Sequence, residues 1–234
     1  MTAPFLLPLP SGSALRGDAL PGREPGYVYL HGLGSVRAGE KSASLLRHAA
    51  ERERAFLRID QRGHGESPGT LGDVTIGELI ADVQRLLDVT GPRVLVGSSL
   101  GGLVAAFAAA ARPDLVPSLC LLAPAFGFVA GLERHLDAEG RLWTTEGKCF
   151  PVSERVLADA RTLDEVALPQ RLPMPVLVVH GAADDVVPPS ASERFVAAIP
   201  HARKRLWLVP DGDHRLNTVA AEVWPRLDRL LDEG

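Results

Sequence analysis

Short, continuously apolar runs rich in β-branched residues and leucine recur along the chain at 27–30, 55–59, 93–96, 118–122, 175–179 and 206–209. Runs of this kind mark strands buried on both faces of a sheet, whereas half-exposed strands alternate apolar and polar residues. Between them, at 41–50, 76–89, 100–111, 190–199 and 219–231, apolar residues return with the spacing of helices that bury one stripe. Thr75 and Ser190 stand at helix-opening positions. The alternation predicts crossover units, and with them an α/β fold whose mostly parallel central sheet carries helices on both faces. The residues up to Gly26 read as an antiparallel edge hairpin.

One interval, 125–173, breaks this rhythm. It shows no strand pattern, only short amphipathic pieces at 132–136 and 156–163. It is too long for a connecting loop, so it reads as a small cap inserted over one edge of the sheet, within a single domain spanning 1–234.

Composition narrows the partners. A net charge of −4 leaves no basic face for nucleic acid. Arg52, Arg54, Arg58 and Arg62 are interleaved with Glu51, Glu53 and Asp60, as on a solvated face or in local ion pairs rather than along a phosphate track. Cys120 and Cys149 form no C-x-x-C pair and read as buried thiols. The apolar start is short and broken by prolines, unlike a signal peptide or membrane span, which predicts a cytoplasmic location with no membrane partner. No spacing suits a metal, and no cofactor is implied.

The chemistry begins at Gly97-Ser98-Ser99-Leu100-Gly101. This G-x-S-x-G lies where a strand turns into a helix, a turn so tight that the serine is strained and the flanking glycines avoid collision. Ser99 is the candidate nucleophile. Such a serine needs a histidine to take its proton and an acid to orient that histidine. In open parallel sheets the ligand crevice lies at the carboxyl ends of the strands, which sorts the seven histidines. His214 follows the last strand, whereas His201 precedes it and belongs at the far end. His48 and His135 read as packing or surface residues, His64 as structuring a loop near the site, and His180 as a hydrogen-bonding structural residue. In His180-Gly181-Ala182-Ala183-Asp184-Asp185-Val186-Val187-Pro188 the acid is Asp184; Asp185 points elsewhere, to solvent or to a helix cap. A near phosphate-binding loop, Gly34 to Gly39 followed by Glu40-Lys41-Ser42, fails because Glu40 displaces the lysine and adds negative charge.

The order Ser99, Asp184, His214 resembles that of the α/β-hydrolase superfamily. His31-Gly32-Leu33-Gly34 is similar to its oxyanion loop, and Asp60-Gln61-Arg62-Gly63-His64-Gly65-Glu66-Ser67 to its D-x-R-G-x-G-x-S turn. The H-G-x-x-D-x-x-V-P segment and Gly212-Asp213-His214 complete the set, so the resemblance covers nearly the whole chain. Residues 34–41 and the short insertion resemble the small-cap esterase and thioesterase branch that includes palmitoyl-protein thioesterases. The resemblance implies an α/β-hydrolase fold, oxyanion donors at the backbone N–H groups of Leu33 and Leu100, and cleavage of small acyl esters or thioesters through an acyl-enzyme. Phe126, Phe128, Val129, Leu132, Trp143, Phe150 and Val187 are the candidate lining of the acyl pocket. Charges at Glu133, Arg134, Asp137, Glu139 and Arg141 suit soluble short or medium acyl groups better than an interfacial lipid. Two rivals share these residues: a non-catalytic ligand-binding relative, which a serine-reactive label separates, and a carbon–carbon bond hydrolase or lyase, which substrate comparison separates.

Overall fold

In the computed structural model, which describes residues 1–144 and 147–232, the strands are β1 (Ala3–Pro8), β2 (Ala14–Leu20), β3 (Arg23–Leu30), β4 (Arg54–Ile59), β5 (Arg93–Ser98), β6 (Leu119–Leu122), β7 (Arg141–Trp143), β8 (Cys149–Pro151), β9 (Val176–Gly181) and β10 (Lys204–Val209). The α-helices are α1 (Glu40–Glu51), α2 (Ile76–Thr90), α3 (Leu100–Ala111), α4 (Glu154–Ala160), α5 (Pro189–Ala198) and α6 (Ala220–Asp232).

The main sheet runs β1-β2-β4-β3-β5-β6-β9-β10. From β4 to β10 every pairing is parallel, while β1 and β2 form the antiparallel edge expected from the first residues. Side chains of the central strands alternate between two cores, as strand geometry requires. Val28, Leu30, Leu95, Leu119, Leu121 and Val178 join one core with α2, α3 and α5. Tyr27, Tyr29, Val94, Val96, Cys120 and Val179 join the other with α1 and α6. Helices thus cover both faces. Strand order reverses between β3 and β5, so the crevice of an open parallel sheet falls beside their carboxyl ends.

The segment between β6 and β9 departs from the sequence reading in one respect. The expectation of no strand there is corrected by β7 and β8, an antiparallel hairpin. Strands of three residues are too short to show a period of two. The amphipathic pieces appear as a 3-10 stretch, Val129–His135, and as α4. A second correction concerns the thiols: Cys120 is buried, but Cys149, on the hairpin, is exposed. Arg58 and Arg62 do form ion pairs, but with Asp18 and Asp82 from elsewhere in the chain rather than with the interleaved Glu51, Glu53 or Asp60.

Candidate active site

Where β5 becomes α3, Ser99 has φ 53° and ψ −118°, a conformation costing a non-glycine residue on the order of 1–3 kcal/mol. The glycines around it are dictated by contact: a Cβ on Gly97 would lie 2.2 Å from the Gly101 carbonyl oxygen, and one on Gly101 2.3 Å from that of Leu30. The elbow is held by the Ser99 N–H donating to the Leu122 carbonyl at 2.9 Å and the Gly102 N–H to the Ser99 carbonyl at 2.9 Å.

Loops after β9 and β10 bring the partners. They touch so closely that a Cβ on Gly181 would lie 2.1 Å from the Gly212 carbonyl oxygen. The Ser99 hydroxyl donates to His214 Nε2 at 3.0 Å, and His214 Nδ1–H donates to Asp184 Oδ2 at 2.7 Å. Asp184 is buried, and its Oδ1 accepts the N–H groups of Val186 and Val187 at 2.9 Å each. Burial alone would raise its pKa, but the hydrogen bonds from His180, His214 and Val187 outweigh it and hold the carboxyl well below the usual carboxylate range. Asp185 is exposed, as expected.

His180, fully buried, donates from Nε2 to the same Oδ2 at 3.0 Å, while the Ser192 hydroxyl donates to its Nδ1 at 2.7 Å. His31 ties the loop after β3 to the loop after β4: its Nδ1 donates to the Gly32 carbonyl at 2.9 Å, and its Nε2 accepts the Gln61 N–H at 3.0 Å. His64 Nδ1 donates to the Arg62 carbonyl at 3.0 Å, shaping the same region. The other histidines stand apart from Ser99: His48 on Asp228 at 2.8 Å, His135 stacked on Phe128, and His201 on the Leu172 carbonyl at 2.8 Å.

The D-x-R-G-x-G-x-S turn is a scaffold for these loops. Buried Asp60 accepts the Arg37 N–H at 2.7 Å and the Glu66 N–H at 3.1 Å. Gly65 is required there, because a Cβ would fall 2.3 Å from the Asp60 carboxyl carbon.

Among the described residues, the N–H groups of Leu33 and Leu100 have no hydrogen-bond acceptor, and Gly32 approaches Ser99 so closely that a Cβ would lie 3.2 Å from the Ser99 Cβ. An apolar cavity of about 120 Å³ opens from Ser99 and His214. Phe128, Val129, Leu132, Trp143, Phe150 and Val187 line it, as expected; Phe126 does not. Phe126 instead stacks on Phe195 of α5 at 4.0 Å between ring centres and belongs to the core. The sequence reading missed Leu71, Val74, Ile76 and Leu79, which form another wall. A second, polar cleft also reaches Ser99 and His214 and includes Ser35, Lys41, Arg215 and Asn217. Lys41, from the failed phosphate motif, donates to the Arg215 carbonyl at 2.5 Å, and burial lowers its pKa to about 8.

Sheet order, elbow and loop placement together define the α/β-hydrolase class. The chain belongs to the α/β-hydrolase fold family: residues 28–141 match the family described by that fold, and residues 151–218 match one described as serine aminopeptidase, S33. It is similar to the mitochondrial palmitoyl-protein thioesterase ABHD10 of Mus musculus, with 30% identity over 216 residues, covering 86% of this chain and 72% of that protein. Lipase LipV of Mycobacterium tuberculosis is 39% identical over 154 residues, 56% of this chain and 58% of that protein. The solved structure of alpha/beta hydrolase domain-containing protein 10 from mouse superposes with a TM-score of 0.87 at 27% identity, covering 99% of each chain. The cytoplasmic location expected from the sequence is overturned here, because the ABHD10 relatives from mouse, cow and rat are mitochondrial by name.

Proposed function

We propose that this protein hydrolyses carboxylic esters and thioesters of small to medium acyl groups through an acyl-enzyme on Ser99. His214 takes the Ser99 proton as Oγ adds to the acyl carbonyl, and Asp184 fixes the histidine tautomer and steadies the imidazolium that forms. The N–H groups of Leu33 and Leu100 receive the negative oxygen of the tetrahedral intermediate. Collapse breaks the bond to the leaving alcohol or thiol, which departs with the proton from His214. Water then enters, gives a proton to the same nitrogen and releases the acid. The acyl group occupies the apolar cavity, with residues 125–173 acting as its cap over a single domain.

The hydrogen-bonded line from Ser99 Oγ through His214 to Asp184, at 3.0 and 2.7 Å, carries this reading. The thioesterase and lipase names of the relatives support the acyl ester class. Its test is labelling of the folded protein with a fluorophosphonate, followed by turnover of p-nitrophenyl esters and acyl thioesters. Wild-type protein is expected to be labelled at Ser99. Ser99→Ala is expected to take no label and to lose activity by at least about a thousandfold. A folded wild-type protein with His214 intact that takes no label is a binding protein, and the reading fails.

A further inference from the structure

The β7–β8 hairpin lines the cavity through Trp143 and Phe150, and it also grips the turn that carries Leu33. That turn spans residues 32–35 and is closed by the Ser35 N–H donating to the Gly32 carbonyl at 3.2 Å. Gly34, in its third position, has φ +74°, the left-handed conformation that a type II turn places there. Leu33, in the second position, has its N–H outside the turn's own hydrogen bond.

Two side chains of the hairpin close on Gly34. Lys148 Nζ donates to the Gly34 carbonyl at 2.8 Å. Thr144 packs where a side chain would stand, since a Cβ on Gly34 would lie 2.8 Å from Thr144 Cγ2. The pair is itself tied: the Thr144 N–H donates to the Lys148 carbonyl at 2.8 Å, and the Lys148 N–H to Thr144 Oγ1 at 3.1 Å. Beyond β8 the segment is pinned by the Ser153 N–H donating to the Gly72 carbonyl at 2.8 Å.

We infer that Lys148 is a positioning residue for acyl transfer, holding the Leu33 N–H toward the oxyanion by fixing the Gly34 carbonyl from the hairpin. The inference rests on the acyl-enzyme reading above. An N–H donor stabilises a developing oxyanion in proportion to how well it is held before the charge appears. A four-residue turn with glycine in its third position is a soft mount for such a donor. A charge-assisted hydrogen bond to that glycine, anchored in a separate hairpin, stiffens it. The hairpin that shapes the acyl cavity thereby also sets the anion site.

The test compares Lys148→Met, Lys148→Arg and Thr144→Ala on an oxygen ester and on its thiono counterpart, whose developing charge rests on sulfur and suits an oxygen-sized donor site poorly. Lys148→Met is expected to lower kcat on the oxygen ester about tenfold, with KM and the thiono rate within about twofold of wild type. Thr144→Ala should shift the oxygen-to-sulfur rate ratio in the same direction, and Lys148→Arg should keep the wild-type ratio. Equal losses on both esters, unchanged oxygen-ester turnover in Lys148→Met, or a shifted ratio in Lys148→Arg overturns the positioning role in an otherwise active enzyme. A wild-type protein that turns over neither ester overturns the acyl-enzyme reading, and this inference with it.

Discussion

Asp184 accepts from four donors: His214, His180 and the N–H groups of Val186 and Val187. An asparagine has only one oxygen, so replacing Asp184 forces a choice. If the amide oxygen keeps the two backbone donors, its NH₂ group faces two histidine N–H groups, and both rings must change tautomer. His214 then presents an N–H to Ser99 and can no longer take its proton. Asp184→Asn is therefore expected to reduce kcat by about 10⁴-fold. It should also cost about 1–3 kcal/mol of stability, because buried donors lose their acceptor. Steady-state kinetics with urea unfolding measures both, and a variant with near wild-type turnover removes Asp184 from the proposed triad.

At the scale of elements, α2 joins fold to site. It opens with a capping box in which Thr75 accepts the Glu78 N–H at 3.1 Å and Glu78 accepts the Thr75 N–H at 3.0 Å. The first turn so fixed supplies Ile76 and Leu79 to the cavity wall. Thr75→Ala is expected to cost about 1 kcal/mol, which lowers the melting temperature of a chain this size by about 2–4 °C. KM for acyl substrates should rise with it; an unchanged KM would separate the cap from the cavity. This wall also marks where sequence reading stops. Ser99, Asp184 and His214 were legible because each sits in a tight turn whose geometry selects its neighbours, glycine above all. Leu71 and Val74 reach the cavity from the loop after β4, and no local pattern records that approach. Phe126 and Phe128 lie two residues apart in one insertion, but only the packing against Phe195 separates core from cavity. The β7–β8 hairpin escaped notice because its strands are three residues each.

For the whole molecule, the balance of buried titratable groups sets the response to acid. Burial first, then the neighbouring His64, lowers the pKa of His31 to about 4. In the unfolded chain an ordinary histidine takes up its proton near pH 6.5, so between about 6.5 and 4 the unfolded state binds more protons than the folded one. The His31 contribution is thus complete at neutral pH and is lost as pH falls through that window, by about 3 kcal/mol at most. Buried His64, also shifted down chiefly by burial, adds in the same direction. Asp184, whose pKa lies below its unfolded value, begins to lose its stabilising contribution only below about pH 4. His31 and His64 therefore drive the upper part of the acid transition, against Asp82 and Glu165, whose pKa values burial raises and which favour the folded state as pH falls. Urea midpoints measured from pH 7 to 4.5 are expected to fall steadily, and His31→Gln should flatten that slope even if it lowers the midpoint at pH 7. A slope identical in His31→Gln and wild type would mean that His31 does not set it. Because the neutral His31 ring bridges the Gly32 carbonyl and the Gln61 N–H, the proton that weakens the fold arrives at the loop carrying Leu33. Activity measured at one pH after brief exposure to acid should then track the unfolding midpoint.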